Sequence, residues 1–322
     1  MYTPKESILA LLDEAESLIF DFERTVRDYK ANSYRLVRHD DLEIGKAEYC
    51  LQDVKQPPLS LATKILGIGT YLRAPMDHAV TELLRKSGSV KKSKAPGFPI
   101  CTSDQEWKNN VNKIEGITGP PADFILSVQP FKVNDRDSVH DHPLAALNLL
   151  RNSSNHKVTL VVEVTVAEST QHRLTANRHL QWVEYFSSEF EEGAKMAVMI
   201  PAKPSTSGVT INSLEWTGGG SKIRPGFSPR AFVGGAVMGD MLTNNIEADF
   251  QAIQKGSGKW GTDGWNTFFE GVQFDLKIAQ NISFGKGSGS LEGLPVIETL
   301  HGIRRYLKGH IFHEDGLIKG FT

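Results

Sequence analysis

Apolar residues at three- and four-residue steps (Leu11, Ala15, Leu18, Phe22, Val26 and Tyr29) predict one amphipathic helix over residues 4–31. Thr3-Pro4-Lys5-Glu6 supplies its start, with a capping hydroxyl, a proline at the first helical position and an acid at the third. Glu6, Asp13, Glu16, Glu23 and Arg27 fall on the other, solvated face. Short alternating runs at 34–54 predict a hairpin. Pro57-Pro58 then breaks the chain and offers Ser60 as the cap of a second long helix.

That helix carries Leu61, Ile65, Ile68 and Leu72 as one stripe, continued by Met76, Val80, Leu83 and Leu84. Pro75 has no amide proton for the carbonyl of Tyr71, so a kink or helix junction is expected beside Arg73. Gly67 and Gly69 offer room for another helix to approach. The basic run within 87–97 reads as a wet loop, and Phe98-Pro99-Ile100 as an apolar anchor after it. A short helix should turn Trp107, Val111 and Ile114 inward, and another short element follows at 120–128. Pro143 opens a compact helix that packs Leu144, Leu147 and Leu150.

After His156 the period shortens. Branched residues at 158–168 and again near 193–202 predict strands, and further strand-like segments lie among the glycines and turns up to residue 286. Pro295 starts a last helix, with Val296, Leu300, Ile303 and Leu307 available to cover the sheet or dock on the helices. The expected architecture is α+β: a helical domain at 1–157, including the hairpin near 34–54, then a β-rich domain at 158–322 ending in a helix.

Composition narrows the chemistry. Lys plus Arg is 36 against 38 Asp plus Glu, a formal charge of −2, so no bulk attraction to nucleic acid or anionic membrane is implied. Only Cys50 and Cys101 are present, which suits a reducing cytoplasm and excludes a four-cysteine zinc site. The N-terminus does not resemble a signal peptide, and no apolar run approaches the roughly 20 residues needed to cross a bilayer. A cytoplasmic protein without a membrane partner or cofactor is expected. Neither a phosphate loop nor a Gly-x-Ser-x-Gly nucleophile motif occurs.

Several ordered segments carry a resemblance. Leu72-Arg73-Ala74-Pro75-Met76-Asp77-His78, Phe98-Pro99-Ile100, Gln129-Pro130-Phe131, His142-Pro143-Leu144 and the segment from Leu150 to Lys157 are similar to landmarks of a bacterial protein family. Those landmarks are an LRSALDHL-like segment, FPI, QPY, HPL and an NIDKHR-like segment. Here Pro75-Met76 replaces Ala-Leu, and Arg151 with Ser153-Ser154 departs from Asn-Ile-Asp. This resemblance implies architecture rather than a reaction.

The chain more distantly resembles the HEPN helical-bundle group, which includes metal-independent RNases with an Arg-x4–6-His motif. Arg151-Asn152-Ser153-Ser154-Asn155-His156 matches it; Arg73 to His78 has the same spacing, but Ala74 stands where a polar residue is usual. The resemblance implies an endoribonuclease of a bacterial stress or antiphage system. Arg151 would hold the phosphate, Asn152 orient, and His156 transfer the proton.

Physical geometry leaves the choice open. On one straight helix Arg151 and His156 lie roughly 140° apart, so fraying or a homodimer must bring such groups to one RNA cleft. Arg151 also fits a helix C-terminus without any catalytic purpose. Arg73 and Asp77 are i,i+4 neighbours that can pair, orient His78, or form a polar patch beside Arg151. His140 and His142, with Asp135, Asp137 or Asp141, are the residues to test for a metal, although His142 also stands at a helix entry. The alternative to an RNase is a non-catalytic scaffold that binds protein or nucleotide.

Overall fold

The computed structural model describes residues 3–41, 46–89, 95–132, 139–155, 160–166, 171–176, 180–184, 190–201, 213–217, 231–233, 236–238 and 272–321. Its first helix, α1 (Pro4–Asn32), begins with a reciprocal cap. Thr3 N donates to Glu6 Oε2 at 2.8 Å, and Glu6 N donates to Thr3 Oγ1 at 3.2 Å. The buried stripe is Ile8, Leu12, Ala15, Ile19, Phe22 and Val26, so Leu12 and Ile19 take the core places expected for Leu11 and Leu18. Ala15, Phe22 and Val26 belong to both stripes; at the other places neighbouring residues about 100° apart compete, and packing partners, which periodicity does not specify, select between them.

Strands β1 (Arg35–Asp41) and β2 (Lys46–Gln52) pair antiparallel with Arg35 opposite Gln52, giving the expected hairpin ladder. Helix α2 (Leu59–Lys86) then runs unbroken through the buried Pro75, so the expected junction does not occur. Tyr71, whose carbonyl loses its usual partner there, is an exposed position. The N-cap is Pro58 rather than Ser60, with no side-chain cap bond. Leu61, Ile65, Ile68, Leu72, Met76, Val80, Leu83 and Leu84 are all buried.

Helix α3 (Asp104–Asn110) passes directly into a 3-10 turn at Val111–Ile114. The tighter turn buries Ile114 but leaves Val111 exposed, contrary to the inward position expected on a continuous α-helix. Next come α4 (Pro120–Ser127) and α5 (Pro143–Asn155). Leu144, Leu147 and Leu150 of α5 are fully buried. A Cβ on Gly69 would stand 3.1 Å from the Leu150 Cβ, so glycine is what lets α2 and α5 approach here; Gly67 meets nothing within 4 Å.

The β-rich stretch contains β3 (Val162–Val166), β4 (Gln171–Ala176), β5 (Leu180–Glu184), β6 (Lys195–Pro201), β7 (Ser213–Thr217), β8 (Ala231–Val233), β9 (Ala236–Met238), β10 (Val272–Lys277) and β11 (Gln280–Phe284). The final helix is α6 (Val296–Tyr306). The chain is therefore α+β. No helix among the described residues is long and apolar enough to cross a membrane.

Compactness divides the chain differently from the linear split expected at 157/158. One unit collects residues 1–29, 57–163 and 282–322; the other collects 30–56 and 164–281. The hairpin therefore belongs with the later strands, and α6 with the helices. In the helical unit α6 packs on α5 and α2. It also faces charged residues of α1 that the sequence placed on a solvated surface. Arg304 pairs with Glu16, and His301 Nε2 lies 2.7 Å from Glu23 Oε1.

In the strand unit, one antiparallel sheet has the order β1-β2-β6-β5 and another the order β10-β4-β7-β8-β9. Leu51, Val166, Ala194, Met196 and Ile278 form a core against which Tyr34, Leu36, Val54 and Phe190 pack. The hairpin lies in this unit because β2 pairs with β6 far along the chain.

Candidate functional site

Thr70, Arg73, Ala74, Asp77, His78 and Thr81 stand at positions i, i+3, i+4, i+7, i+8 and i+11, and so share one face of α2. With Leu11 of α1 and Arg151 of α5, they line a pocket of about 530 Å3 within the helical unit. The pattern was present in the sequence as a polar stripe of helical period. It becomes a site because α5 brings Arg151 alongside.

Arg73 is the pocket's buried anchor, only 4% exposed. Its Nε donates to Asp77 Oδ1 at 3.1 Å and Oδ2 at 3.3 Å, while Nη2 donates to the Phe98 carbonyl. Asp77 Oδ1 in turn accepts from Phe98 N at 2.8 Å. The pair thus holds both backbone groups of Phe98, locking α2 to an extended segment. Close approach is required there: a Cβ on Gly97 would stand 3.2 Å from Asp77 Oδ1.

Gln129 holds the same segment through its next residues. Its Oε1 accepts from Cys101 N at 2.9 Å, and its Nε2 donates to Pro99 O at 2.9 Å and Ile125 O at 2.8 Å. Buried backbone groups require such partners. Three segments separated in sequence, around Arg73, Phe98 and Gln129, are therefore one hydrogen-bonded brace. Nothing local in the sequence indicates the role of Gln129, because its partners depend on the fold.

Arg151 differs from Arg73. Its side chain is 40% exposed, and Nη2 lies 3.9 Å from Asp77 Oδ2, a looser contact than the Arg73 pair. Burial lowers the pKa of Arg73; Asp77 opposes that shift, and Arg151 adds to it by repulsion. Lys113 is also lowered, first by burial and then by Arg73 and Arg151. Three cations are thus within electrostatic reach of one carboxylate. Sequence reasoning missed Lys113. Cys101 lies behind this group with its thiol pushed up to about 11, chiefly by burial, and is no nucleophile at neutral pH. Arg73 Nη1 is enclosed and has no hydrogen-bond partner among the described residues.

The expected residues separate as follows. Arg73, Asp77, His78 and Arg151 come together at one pocket. His156 and the side chain of Asn152 lie outside the described residues, as do Asp135 and Asp137. His140 and Asp141 are exposed. His142 is buried, and its Nδ1 accepts from Leu144 N at 3.2 Å, so it caps the start of α5. Its ring meets Tyr306 edge-on, with centroids 4.9 Å apart. Among the described residues, no group of three or more His, Cys, Asp or Glu is placed to hold a metal ion.

The arrangement can attract an anion and offer it directional donors from Arg151, with hydroxyl and imidazole groups beside it. No family model, curated protein or solved structure matches the chain, so the chemistry of this pocket is read from its own residues.

Proposed function

We propose that the protein is a non-catalytic nucleotide-binding scaffold whose helical unit, HEPN-like in plan, receives the ligand's phosphate. One observation carries this reading: Arg151 enters a pocket in which Asp77 is already committed to Arg73 and Phe98. Two guanidinium groups and one carboxylate stand among the residues that line it, a balance that favours an anion. Arg73 braces the wall, and Arg151 supplies the accessible donor. Calorimetric titration with nucleotides tests the reading. Arg151→Ala should weaken a phosphate-bearing ligand by about tenfold, equivalent to about 1.4 kcal/mol, with the fold intact. Unchanged affinity would contradict it.

A second reading is favoured by His78 lining the pocket that Arg151 enters. An imidazole beside a guanidinium suits metal-independent cleavage of RNA, in which the RNA's own 2′-hydroxyl attacks phosphorus and the 5′-oxygen departs. In that reading Arg151 holds phosphate, Asn152 orients and His156 transfers the proton, with a homodimer completing the cleft. A metal-free assay on diverse RNAs tests it. Specific cleavage that leaves a 2′,3′-cyclic phosphate and is lost in Arg151→Ala and His156→Ala would support the endoribonuclease; absence of cleavage by the folded protein would leave the scaffold.

A further inference from the structure

We infer that the pocket holds a nucleotide by its ribose as well as by its phosphate, with Thr81 and His78 forming a subsite for the vicinal 2′- and 3′-hydroxyls. The inference rests on the nucleotide-binding reading and adds the part of the ligand that sets selectivity.

Donors and acceptors carry it. Thr81 Oγ1 donates to the Asp77 carbonyl at 2.9 Å. Its one proton is thereby used, and the oxygen offers the pocket only lone pairs. His78 lines the same pocket, half-buried, and has no hydrogen-bond partner among the described residues. A neutral imidazole presents one ring nitrogen as donor and the other as acceptor. Thr81 and His78 are i,i+3 neighbours on α2, so they stand side by side. An acceptor-only oxygen beside an imidazole suits two adjacent hydroxyls, each of which both donates and accepts. A phosphate oxygen, which only accepts, gains nothing from Thr81.

Position assigns this subsite to the sugar. The phosphate lies with Arg151, which meets the Asp77 carboxylate. That carboxylate leans back along α2 toward Arg73, as their pair requires, whereas Thr81 Oγ1 sits at the Asp77 carbonyl. The two places are roughly one helical turn apart, about 5.4 Å. The methylene arm between a 5′-phosphate and the ring hydroxyls spans such a gap. Thr70 also lines the pocket, but its Oγ1 donates to the Leu66 carbonyl at 3.1 Å and so leans away from Asp77, beyond the sugar's reach. Asp77, a carboxylate that could otherwise accept from a diol, is engaged by Arg73 and the Phe98 amide. The volume of about 530 Å3 falls within the range of roughly 300–1,000 Å3 usual for small-molecule pockets, large enough for more than a bare phosphate ion.

The test is calorimetric titration of the full chain at pH 7.5 with adenosine 5′-monophosphate and 2′,3′-dideoxyadenosine 5′-monophosphate, which differ only in the two hydroxyls. The wild type should bind the ribonucleotide about tenfold more tightly. Thr81→Val keeps the shape of the side chain and removes its oxygen. It should weaken the ribonucleotide by about threefold or more and leave the dideoxynucleotide unchanged, so that the preference shrinks. His78→Ala should shrink the preference in the same way, and the wild-type comparison decides the matter even if either variant fails to fold. Equal wild-type affinity for the two nucleotides overturns the sugar subsite, while nucleotide binding itself stands. A preference that survives in both folded variants, or equal weakening of both nucleotides by each variant, overturns the assignment to Thr81 and His78. Binding of neither nucleotide overturns the nucleotide-binding reading and the subsite with it.

Discussion

Arg73 and Arg151 each stand five residues before a histidine, yet the fold uses them in opposite ways. Arg73 lies mid-helix with its side chain 5% exposed, fixed by Asp77 and the Phe98 carbonyl. Arg151 lies in the last turns of α5, 40% exposed and 3.9 Å from a carboxylate that already has other partners. Identical spacing therefore yields one brace and one accessible donor. The difference arises from what meets each residue from elsewhere in the chain: the 97–101 segment covers the first, and the pocket opens beside the second.

Breaking the brace should produce the largest stability change. Asp77→Ala leaves Arg73 as an uncompensated buried charge and strands the Phe98 amide, with an expected loss of about 3 kcal/mol in urea unfolding. Arg151→Ala should lose no more than about 1 kcal/mol, because its ion pair is loose and half exposed. Equal losses would erase the distinction between the two arginines.

Gln129→Ala tests the other half of the brace. It removes an acceptor from Cys101 N and donors from Pro99 O and Ile125 O, and should cost about 2 kcal/mol. A smaller loss is expected for Gly69→Ala, about 1–2 kcal/mol, as the new Cβ pushes Leu150 and the α5 backbone away from α2. Because α5 carries Arg151, this variant should also weaken nucleotide binding although Gly69 does not line the pocket.

The smallest effect concerns the start of α5. Burial, followed by the charge of His310, lowers the pKa of His142 from its ordinary 6.5. The unfolded chain then binds this proton more readily than the folded chain. The contribution is fully present above pH 6.5 and is lost as pH falls through the lowered folded value. Urea midpoints for the wild type should decline over that acid range, and His142→Asn, which can keep the cap, should decline less. An equal decline in both proteins would remove His142 as the cause.

Helical periodicity made much of the helical unit legible. The α2 and α5 stripes and the Thr3–Glu6 cap follow from local spacing, and the i,i+4 placement of Arg73 and Asp77 permitted their pair. In α1, Ala15, Phe22 and Val26 are buried as expected, but Leu12 and Ile19 replace Leu11 and Leu18 because adjacent apolar residues satisfy similar periods and only the neighbouring elements distinguish them. Of the kink or junction expected at Pro75, the junction does not occur: loss of one hydrogen bond at an exposed turn is outweighed by burial of the residues around it.

The discontinuous units were less legible for a different reason. Strand pairing between β2 and β6 joins residues about 150 positions apart, and α6 returns to helices near the other end of the chain. Local patterns identify such elements without assigning partners. The site followed the same rule. Arg73, Asp77, His78 and Arg151 were visible as residues, whereas Lys113 and Gln129 acquire their roles only through long-range contacts.

The most direct measurement is the thermal shift produced by saturating adenosine 5′-monophosphate in wild type, Arg73→Gln and Arg151→Gln. Arg73→Gln should melt well below the wild type without ligand. Arg151→Gln should melt within a few degrees of the wild type but lose most of the ligand-induced shift. A full ligand shift in folded Arg151→Gln would contradict the assignment of Arg151 as the accessible phosphate donor.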